Sequence, residues 1–123
     1  ESVEIGALLH DCGRCKTHKI DHAAEGYRLA KDIGIDSEIS EIIKRHIGAG
    51  ISKEEARKLG LPEDDYFPRS LEEKIVAHAD NLVKGTRRIT TTERIALMRK
   101  QEVPEIVIQR VNKLAEEVEG LFS

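Results

Sequence analysis

The 123-residue sequence predicts an all-α fold, a single-domain bundle of about seven helices over residues 1–123 that resembles no repeat architecture. Apolar residues recur at helical spacing through most of the chain, whereas the strict alternation of a strand is almost absent. Three Ser/Thr-x-x-Glu capping boxes mark helix starts. A chain of this length can bury one hydrophobic core unaided, so we expect no internal boundary.

Capping and terminating residues divide the chain into helices. Gly13 ends the first, Gly34 the second, and glycines at 48 and 50 close the third. The last helix begins at Pro104. The other predicted helices span about residues 2–11, 21–33, 36–47, 52–60, 70–84 and 90–100, with a basic loop over 12–20. The apolar stripe of the last helix is Val107, Val111, Leu114, Val118 and Leu121.

Composition argues against several classes of function. The 20 basic and 23 acidic residues give a net charge of −3, and aromatic residues make up 3%. A nucleic-acid partner is therefore not expected, because it needs a basic field or stacking platforms. No apolar run approaches the roughly 20 residues of a membrane span, and no signal peptide is visible, so we expect a cytoplasmic protein without a membrane partner. Many Ile, Lys, Glu and Arg beside few Asn and Gln favour a thermophilic source.

The pair His10-Asp11 closes an apolar run and is the most informative feature of the chain. Two ionisable side chains at the edge of a hydrophobic segment are costly to bury unless a charge compensates them. Imidazole nitrogen and carboxylate oxygen are both ligands of divalent metals, so a bound ion is one compensation. A helix end that carries both residues without a metal is the alternative.

Two further histidines have positions that favour burial. His46 lies seven residues after Ile39, on the apolar stripe of its helix, and therefore points inward. His22 lies in the first turn of its helix, on the same face as Gly26. A glycine inside a helix costs about 1 kcal/mol relative to alanine, so close approach of another backbone or plain helix packing should require it.

The helix over 70–84 supplies an inward carboxylate, that of Asp80. A carboxylate stacked between apolar residues generally has a cation, a metal or several donors beside it. His78 lies about 200° away around the helix, so we expect it at the surface or behind a ligand. The expected buried side of this helix is Leu71, Ile75, Ala79 and Leu82.

Four segments carry these residues in a characteristic order. They are IGALLHDCGR over residues 5–14, DHAAEG over 21–26, IKRH over 43–46 and ADNLV over 79–83. They resemble, in turn, the His-Asp-x-Gly signature, the His-x-x-x-Gly helix start, the next inward histidine and the late aspartate of the HD-domain superfamily of metal-dependent phosphohydrolases. The resemblance covers nearly the whole chain and is to the small prokaryotic form, which we expect here to be archaeal.

The resemblance implies a helical fold with a metal centre. His10, Asp11 and Asp80 would bind a divalent ion, either Mn, Mg, Fe, Ni or Zn. In members with two metals, the positions of His22 and His46 hold the second ion. The first ligand of the family is a histidine on an earlier helix, for which this chain has no residue, so we expect that a helix upstream is missing.

The chemistry implied is hydrolysis of a small phosphorylated substrate, such as a nucleotide. A metal acidifies water and polarises a phosphoryl oxygen, and Asp11 would bridge or orient the ion. Attack at phosphorus also needs nearby positive charge. The candidate cations are Arg14, Lys16 and Lys19 after the His-Asp pair, and Lys84, Arg87 and Arg88 after Asp80; solvated loops are the alternative.

Three alternatives remain open. The first is a helical binding or regulatory domain that keeps the fold without turnover. The second is a structural zinc site built from Cys12, Cys15, His18 and His22, although a lone Cys-x-x-Cys pair is half of the usual ligand set. The third concerns assembly, since the apolar stripe of the last helix suits a homodimer as well as a monomer core.

Overall fold

The computed structural model describes residues 1–15, 17 and 19–122, and it confirms the all-α fold. Within those residues there are seven α-helices and one two-stranded antiparallel sheet. The helices are α1 (Ser2–Leu9), α2 (His22–Asp32), α3 (Ser37–Lys44), α4 (Lys53–Lys58), α5 (Leu71–Asn81), α6 (Thr91–Lys100) and α7 (Glu105–Gly120). A 3-10 helix, Cys12–Cys15, follows α1, and the strands are β1 (Val83–Lys84) and β2 (Arg87–Arg88). None of the described helices has the length and apolarity that a membrane span requires.

All three predicted capping boxes are present, at the starts of α4, α5 and α6. In each box the N-cap hydroxyl accepts a hydrogen bond from the backbone N–H of the glutamate three residues later. The glutamate side chain in turn accepts one from the N-cap N–H. These local bonds explain why the three helix starts could be located from sequence.

We expect Ser70→Ala to lower the free energy of unfolding by about 1 kcal/mol, because the N–H of Glu73 loses its acceptor at the start of α5. Urea denaturation followed by circular dichroism measures this change. Ser37→Ala is the matched control, since Ser37 is the first residue of α3 and the N-cap there is Asp36. Equal stability of the two variants would contradict the assigned cap.

Several helices end earlier than the sequence predicts. α1 ends at Leu9, α3 at Lys44 and α5 at Asn81. After α5 the chain turns into the hairpin of β1 and β2, where Gly85 has a φ of +64° and Ile89 N–H donates to the Leu82 carbonyl at 2.7 Å. The predicted helix to Lys84 was therefore wrong over its last turn, because the left-handed glycine permits a tight reversal.

The core lies between α2 and α3 on one side and between α5 and α7 on the other. One cluster joins Ala30 of α2 to Ile39 and Ile43 of α3, with Leu9 of α1 packed against it. A second cluster joins Ala77 of α5 to the α7 residues Val111, Leu114 and Val118. The apolar stripe of α7 is thus used within the chain, although its last member, Leu121, is exposed.

The buried face of α5 differs from the prediction. Leu71 is 48% exposed and Ala79 is also exposed, whereas Val76 and Ala77 are fully covered. The reason is that α7 packs on the side of Ala77, where the small residue admits the close approach of another helix. His78 is consequently buried, so of the two positions expected for it, at the surface or behind a ligand, the surface position is wrong; its Nε2 lies 3.3 Å from Oε1 of Glu119 on α7.

Two glycines bring the 3-10 helix directly onto α2. A Cβ at Gly13 would lie 1.8 Å from the carbonyl oxygen of His22, and a Cβ at Gly26 would lie 2.8 Å from Cγ2 of Ile43 and 3.0 Å from N of Gly13. Both explanations for Gly26 are found, since the Ile43 side chain of α3 packs on it and the backbone of Gly13 also approaches it closely. The contact holds the segment after His10-Asp11 against the start of α2.

Candidate metal centre

Five side chains from four segments converge at one end of the bundle. His10 caps the C-terminus of α1 and Asp11 follows it. His22 is the first residue of α2, His46 follows α3 by two residues, and Asp80 lies in the last turn of α5. The structure thus brings together all five residues that the sequence singled out as metal ligands.

Asp11 lies at the middle of this group. Its Oδ1 is 3.2 Å from Nε2 of His22 and 3.3 Å from Nε2 of His46, while its Oδ2 is 3.4 Å from Nε2 of His10. Nε2 of His10 is also 3.2 Å from Oδ1 of Asp80. The ligand atoms form two overlapping sets, each within 4.8 Å: His10, His46 and Asp80, and Asp11, His22 and His46.

Each imidazole is held by a backbone carbonyl three residues earlier. Nδ1 of His10 donates to the Ala7 carbonyl at 2.6 Å. The Nδ1 atoms of His22 and His46 likewise donate at 2.9 and 2.7 Å, to the carbonyls of residues 19 and 43. Because a carbonyl can only accept, Nδ1 carries the proton in all three rings, and the Nε2 lone pair of each neutral ring faces the centre.

The facing lone pairs need a positive charge between them. The Nε2 atoms of His22 and His46 are 3.0 Å apart, a distance at which two unprotonated nitrogens repel each other. Either a proton or a metal ion can remove that repulsion. Three imidazole nitrogens and two carboxylates are a donor set that suits divalent first-row metals, so the residues present fit such an ion.

The centre has a buried floor, formed by His22 and His46, and an exposed mouth at Asp11. His46 is 0% exposed and the His22 side chain 6%, whereas that of Asp11 is 43% exposed. Burial lowers the pKa of His22, which favours its neutral, ligating form. A hydrogen bond to His46 holds the pKa of the Asp11 carboxyl well below its usual range. A metal ion at Nε2 of His46 would take the place of this hydrogen bond, so the two compete.

The pKa of His10 shifts in the opposite direction to that of His22. Its hydrogen bond to Asp80 outweighs the effect of burial and raises the pKa of His10 to about 8. Without a metal ion His10 is therefore mostly protonated at neutral pH and forms an ion pair with Asp80. Metal binding has to displace this proton as well.

Of the predicted catalytic residues, Asp11 and Arg14 can be placed. Nε of Arg14 lies 3.4 Å from Oδ1 of Asp11, and its side chain is 43% exposed, so it borders the mouth of the centre. Lys16 lies outside the described residues, as does His18 of the zinc alternative. Lys19 is exposed and contributes its backbone carbonyl to His22.

The thiols of Cys12 and Cys15 are free. Sγ of Cys12 is directed to the carbonyl of Gly26, at 3.8 Å, and packs beside the cluster of Ala30 and Ile43. Neither thiol belongs to the groups of potential metal ligands found among the described residues. Both nitrogens of His22 face other partners, which does not favour the zinc alternative.

Sequence reasoning did not identify Asn81 as part of the centre's support. Asn81 is buried, and its Nδ2 donates to the carbonyl of Gly48 at 3.0 Å. The bond joins the end of α5, next to Asp80, to the segment that follows His46. The adjacent Asp80-Asn81 pair was the available signal, since hydrogen bonds around a metal site commonly hold its ligands in place.

Comparison with known proteins places these motifs in a family. The model of the family described as HD domain matches residues 1–85, which include all five converging residues. An uncharacterized protein of Methanocaldococcus jannaschii is 52% identical over 101 residues, which is 82% of this chain and 60% of that protein. No solved structure matches the chain.

Two other curated relatives are named tRNA (cytidine(56)-2'-O)-methyltransferase. The one from Picrophilus torridus is 48% identical over 119 residues, or 97% of this chain and 35% of the relative. The one from Thermoplasma volcanium is 46% identical over 112 residues, or 91% of this chain and 33% of the relative. The chain thus spans about a third of the length of these two proteins.

Proposed function

We propose that this chain, which belongs to the HD domain family, is a divalent-metal-dependent phosphohydrolase that acts on a phosphate ester such as a nucleotide. The observation that carries the proposal is the convergence of three imidazole Nε2 atoms and two carboxylates in two overlapping ligand sets. A group of this kind is electrostatically unfavourable unless a cation completes it, and its donors suit a catalytic metal.

His10, Asp11, His22, His46 and Asp80 would hold the metal. When bound, a divalent cation polarises a phosphoryl oxygen and acidifies water near neutral pH. The two oxygens of Asp11 face different imidazoles, so this carboxylate can join both ligand sets. The Nδ1–carbonyl bonds keep each ring in the orientation that presents Nε2.

Residues at the mouth of the centre would stabilise the charge that develops on the phosphoryl group. Arg14 borders Asp11 and supplies positive charge where negative charge develops on the phosphoryl group. Lys16 and Lys19 lie in the same basic segment of the sequence and are proposed to assist it. The buried floor formed by His22 and His46 excludes bulk water behind the reacting group, which strengthens these electrostatic interactions.

A panel of phosphate esters tests the proposal. The panel contains p-nitrophenyl phosphate, nucleoside 5'-, 3'- and 2'-monophosphates and a nucleoside triphosphate, each incubated with protein reconstituted with Mn, Mg, Fe, Ni or Zn. We expect hydrolysis of at least one ester, its loss on treatment with EDTA, and its return when the metal is restored. Bound metal without hydrolysis of any ester would overturn the proposed activity.

The second candidate is a metal-binding module without turnover that serves a larger RNA-modifying protein. Its support is that the chain matches about a third of two proteins named for methyl transfer to tRNA. A metal-loaded protein inactive on the whole panel, yet able to bind tRNA, would favour this candidate. Release of inorganic phosphate or of a nucleoside from any ester favours the hydrolase.

A further inference from the structure

The hairpin of β1 and β2 is a surface feature that contributes nothing to the core. All six residues from Val83 to Arg88 are exposed. Three of them are cations, namely Lys84, Arg87 and Arg88. A two-stranded ribbon that buries no side chain is at best marginally stable on its own, so packing does not explain its composition.

The strand register places two of these cations directly against each other. Lys84 pairs with Arg87, and Val83 pairs with Arg88. Directly opposed residues project from the same face of a ribbon with Cβ atoms about 5 Å apart, and like charges in such a pair are destabilising. One face of the hairpin therefore presents the Lys84–Arg87 pair, and the opposite face presents Arg88.

Nearby carboxylates do little to neutralise the charges of Lys84 and Arg87. The carboxylate nearest to Arg87 is that of Glu93, at 3.9 Å, which is the outer limit of an ion pair. Across the described residues, the structure shows no ion pair for Lys84. The hairpin is instead held in place by Arg94, whose guanidinium donates to the carbonyls of Asn81 and Val83, each at 2.7 Å.

The hairpin is also close to the metal centre along the chain. β1 follows α5 and starts three residues after Asp80. Since a residue spans at most about 3.6 Å, the Cα of Lys84 lies within about 14 Å of the Cα of Asp80. The pair is therefore close enough to the centre for one substrate to contact both.

We propose that Lys84 and Arg87 form a phosphate-binding pair, which takes a phosphate of the substrate other than the one hydrolysed. This inference rests on the proposed function, because it assigns a second contact to the same substrate. A phosphate carries enough negative charge to neutralise both cations, and the planar guanidinium of Arg87 can bind two of its oxygens. The second phosphate belongs either to a free nucleotide or to an RNA backbone.

Binding without metal tests the pair independently of hydrolysis. In EDTA, titrations with inorganic pyrophosphate, with ADP and with a fluorescent 12-nucleotide single-stranded RNA are compared for the wild type, Lys84→Gln and Arg88→Gln. The two variants lose the same charge from opposite faces of one hairpin. We expect Lys84→Gln to weaken binding about fivefold or more and to lower the salt slope for RNA by about 1, with Arg88→Gln within about twofold of wild type.

The probes identify the source of the phosphate. Binding of pyrophosphate and ADP supports a free nucleotide, and binding of the RNA alone supports a polynucleotide. Binding of none of the three, or an equal loss in the two variants, overturns the inference. A phosphate-ester panel that shows no hydrolysis while Lys84→Gln still weakens binding would overturn the proposed activity and leave the phosphate-binding pair in place.

The charge-reversed variant separates ligand binding from folding. Lys84→Glu creates an opposite-charge pair with Arg87, so we expect its melting temperature to be equal to or above that of the wild type. Its phosphate binding should fall further than that of Lys84→Gln. Unchanged phosphate binding in a stably folded Lys84→Glu protein would refute the pair.

Discussion

Asp11→Ala is expected to lower the affinity for divalent metal more than about 100-fold and to remove phosphate-ester hydrolysis, because Asp11 is the one carboxylate in the ligand set with His22 and His46 and also approaches His10. Oδ1 of Asp11 faces His22 and His46, and its Oδ2 faces His10. Without this carboxylate the three imidazoles share one negative partner, Asp80, which contacts only His10 among them. Metal content after dialysis, measured by plasma mass spectrometry, gives the stoichiometry.

Asp32→Ala is the matched control, since it removes an exposed aspartate from the last turn of α2. It should retain the metal content and the hydrolysis rate of the wild type. Circular dichroism of Asp11→Ala should show the helical content of the parent, which separates ligand loss from unfolding. A folded Asp11→Ala protein that keeps one equivalent of metal would refute the assigned centre.

The helix starts could be predicted because their signals are local. Ser52, Ser70 and Thr90 each stand three residues before a glutamate, and the bonds that define the cap join only those two residues. The ends of the helices were predicted less accurately, because they depend on the turns and contacts formed by the segment that follows. The hairpin after α5, for example, depends on Gly85 and on anchoring by Arg94, which lies 13 residues after Asn81.

The buried side of α5 shows the limit of apolar periodicity. Leu71 and Ala79 lie on the predicted stripe, yet both are exposed. Ala77, off that stripe, is fully buried because Val111 and Leu114 of α7 pack on it. Size complementarity between α5 and α7 determines which face of α5 is buried. The apolar pattern of one helix contains no information about the helix that packs on it.

The identity of the candidate ligands could be predicted from the sequence, but their geometry could not. His46 was placed on a helix face, and although α3 ends before it, the ring is still fully buried. The bonds that orient the imidazoles were not foreseen, although their spacing is local. In all three cases Nδ1 binds the carbonyl three residues earlier, at Ala7, Lys19 and Ile43. Which Nε2 atoms meet is decided by α2–α3 packing, which the sequence pattern does not specify.

Gly13→Ala is expected to lower the free energy of unfolding by about 3 kcal/mol or more, at the upper end of the range for overpacked sites. The added Cβ would lie 1.8 Å from the carbonyl oxygen of His22 and 2.6 Å from the backbone N of Gly26. Both are backbone atoms of α2, so no side-chain rotation can relieve the clash. The 3-10 helix must move away from α2, and Asp11, which precedes it, would move with it. We therefore expect weaker metal binding as well as lower stability, measured by urea denaturation and by metal titration.

Gly120→Ala separates this steric effect from the general effect of replacing glycine. Gly120 ends α7, and a Cβ there would have no neighbour within 4 Å. Alanine restricts the unfolded chain and favours helix, so this control should be unchanged or more stable by about 0.5–1 kcal/mol. Gly13 does not have a positive φ, so the loss of stability in Gly13→Ala measures the clash with the backbone of α2 and not a strained φ. If both alanine variants were equally stable, the 3-10 helix would not be pressed against α2, and Asp11 would lack the support that aims its two oxygens at three imidazoles.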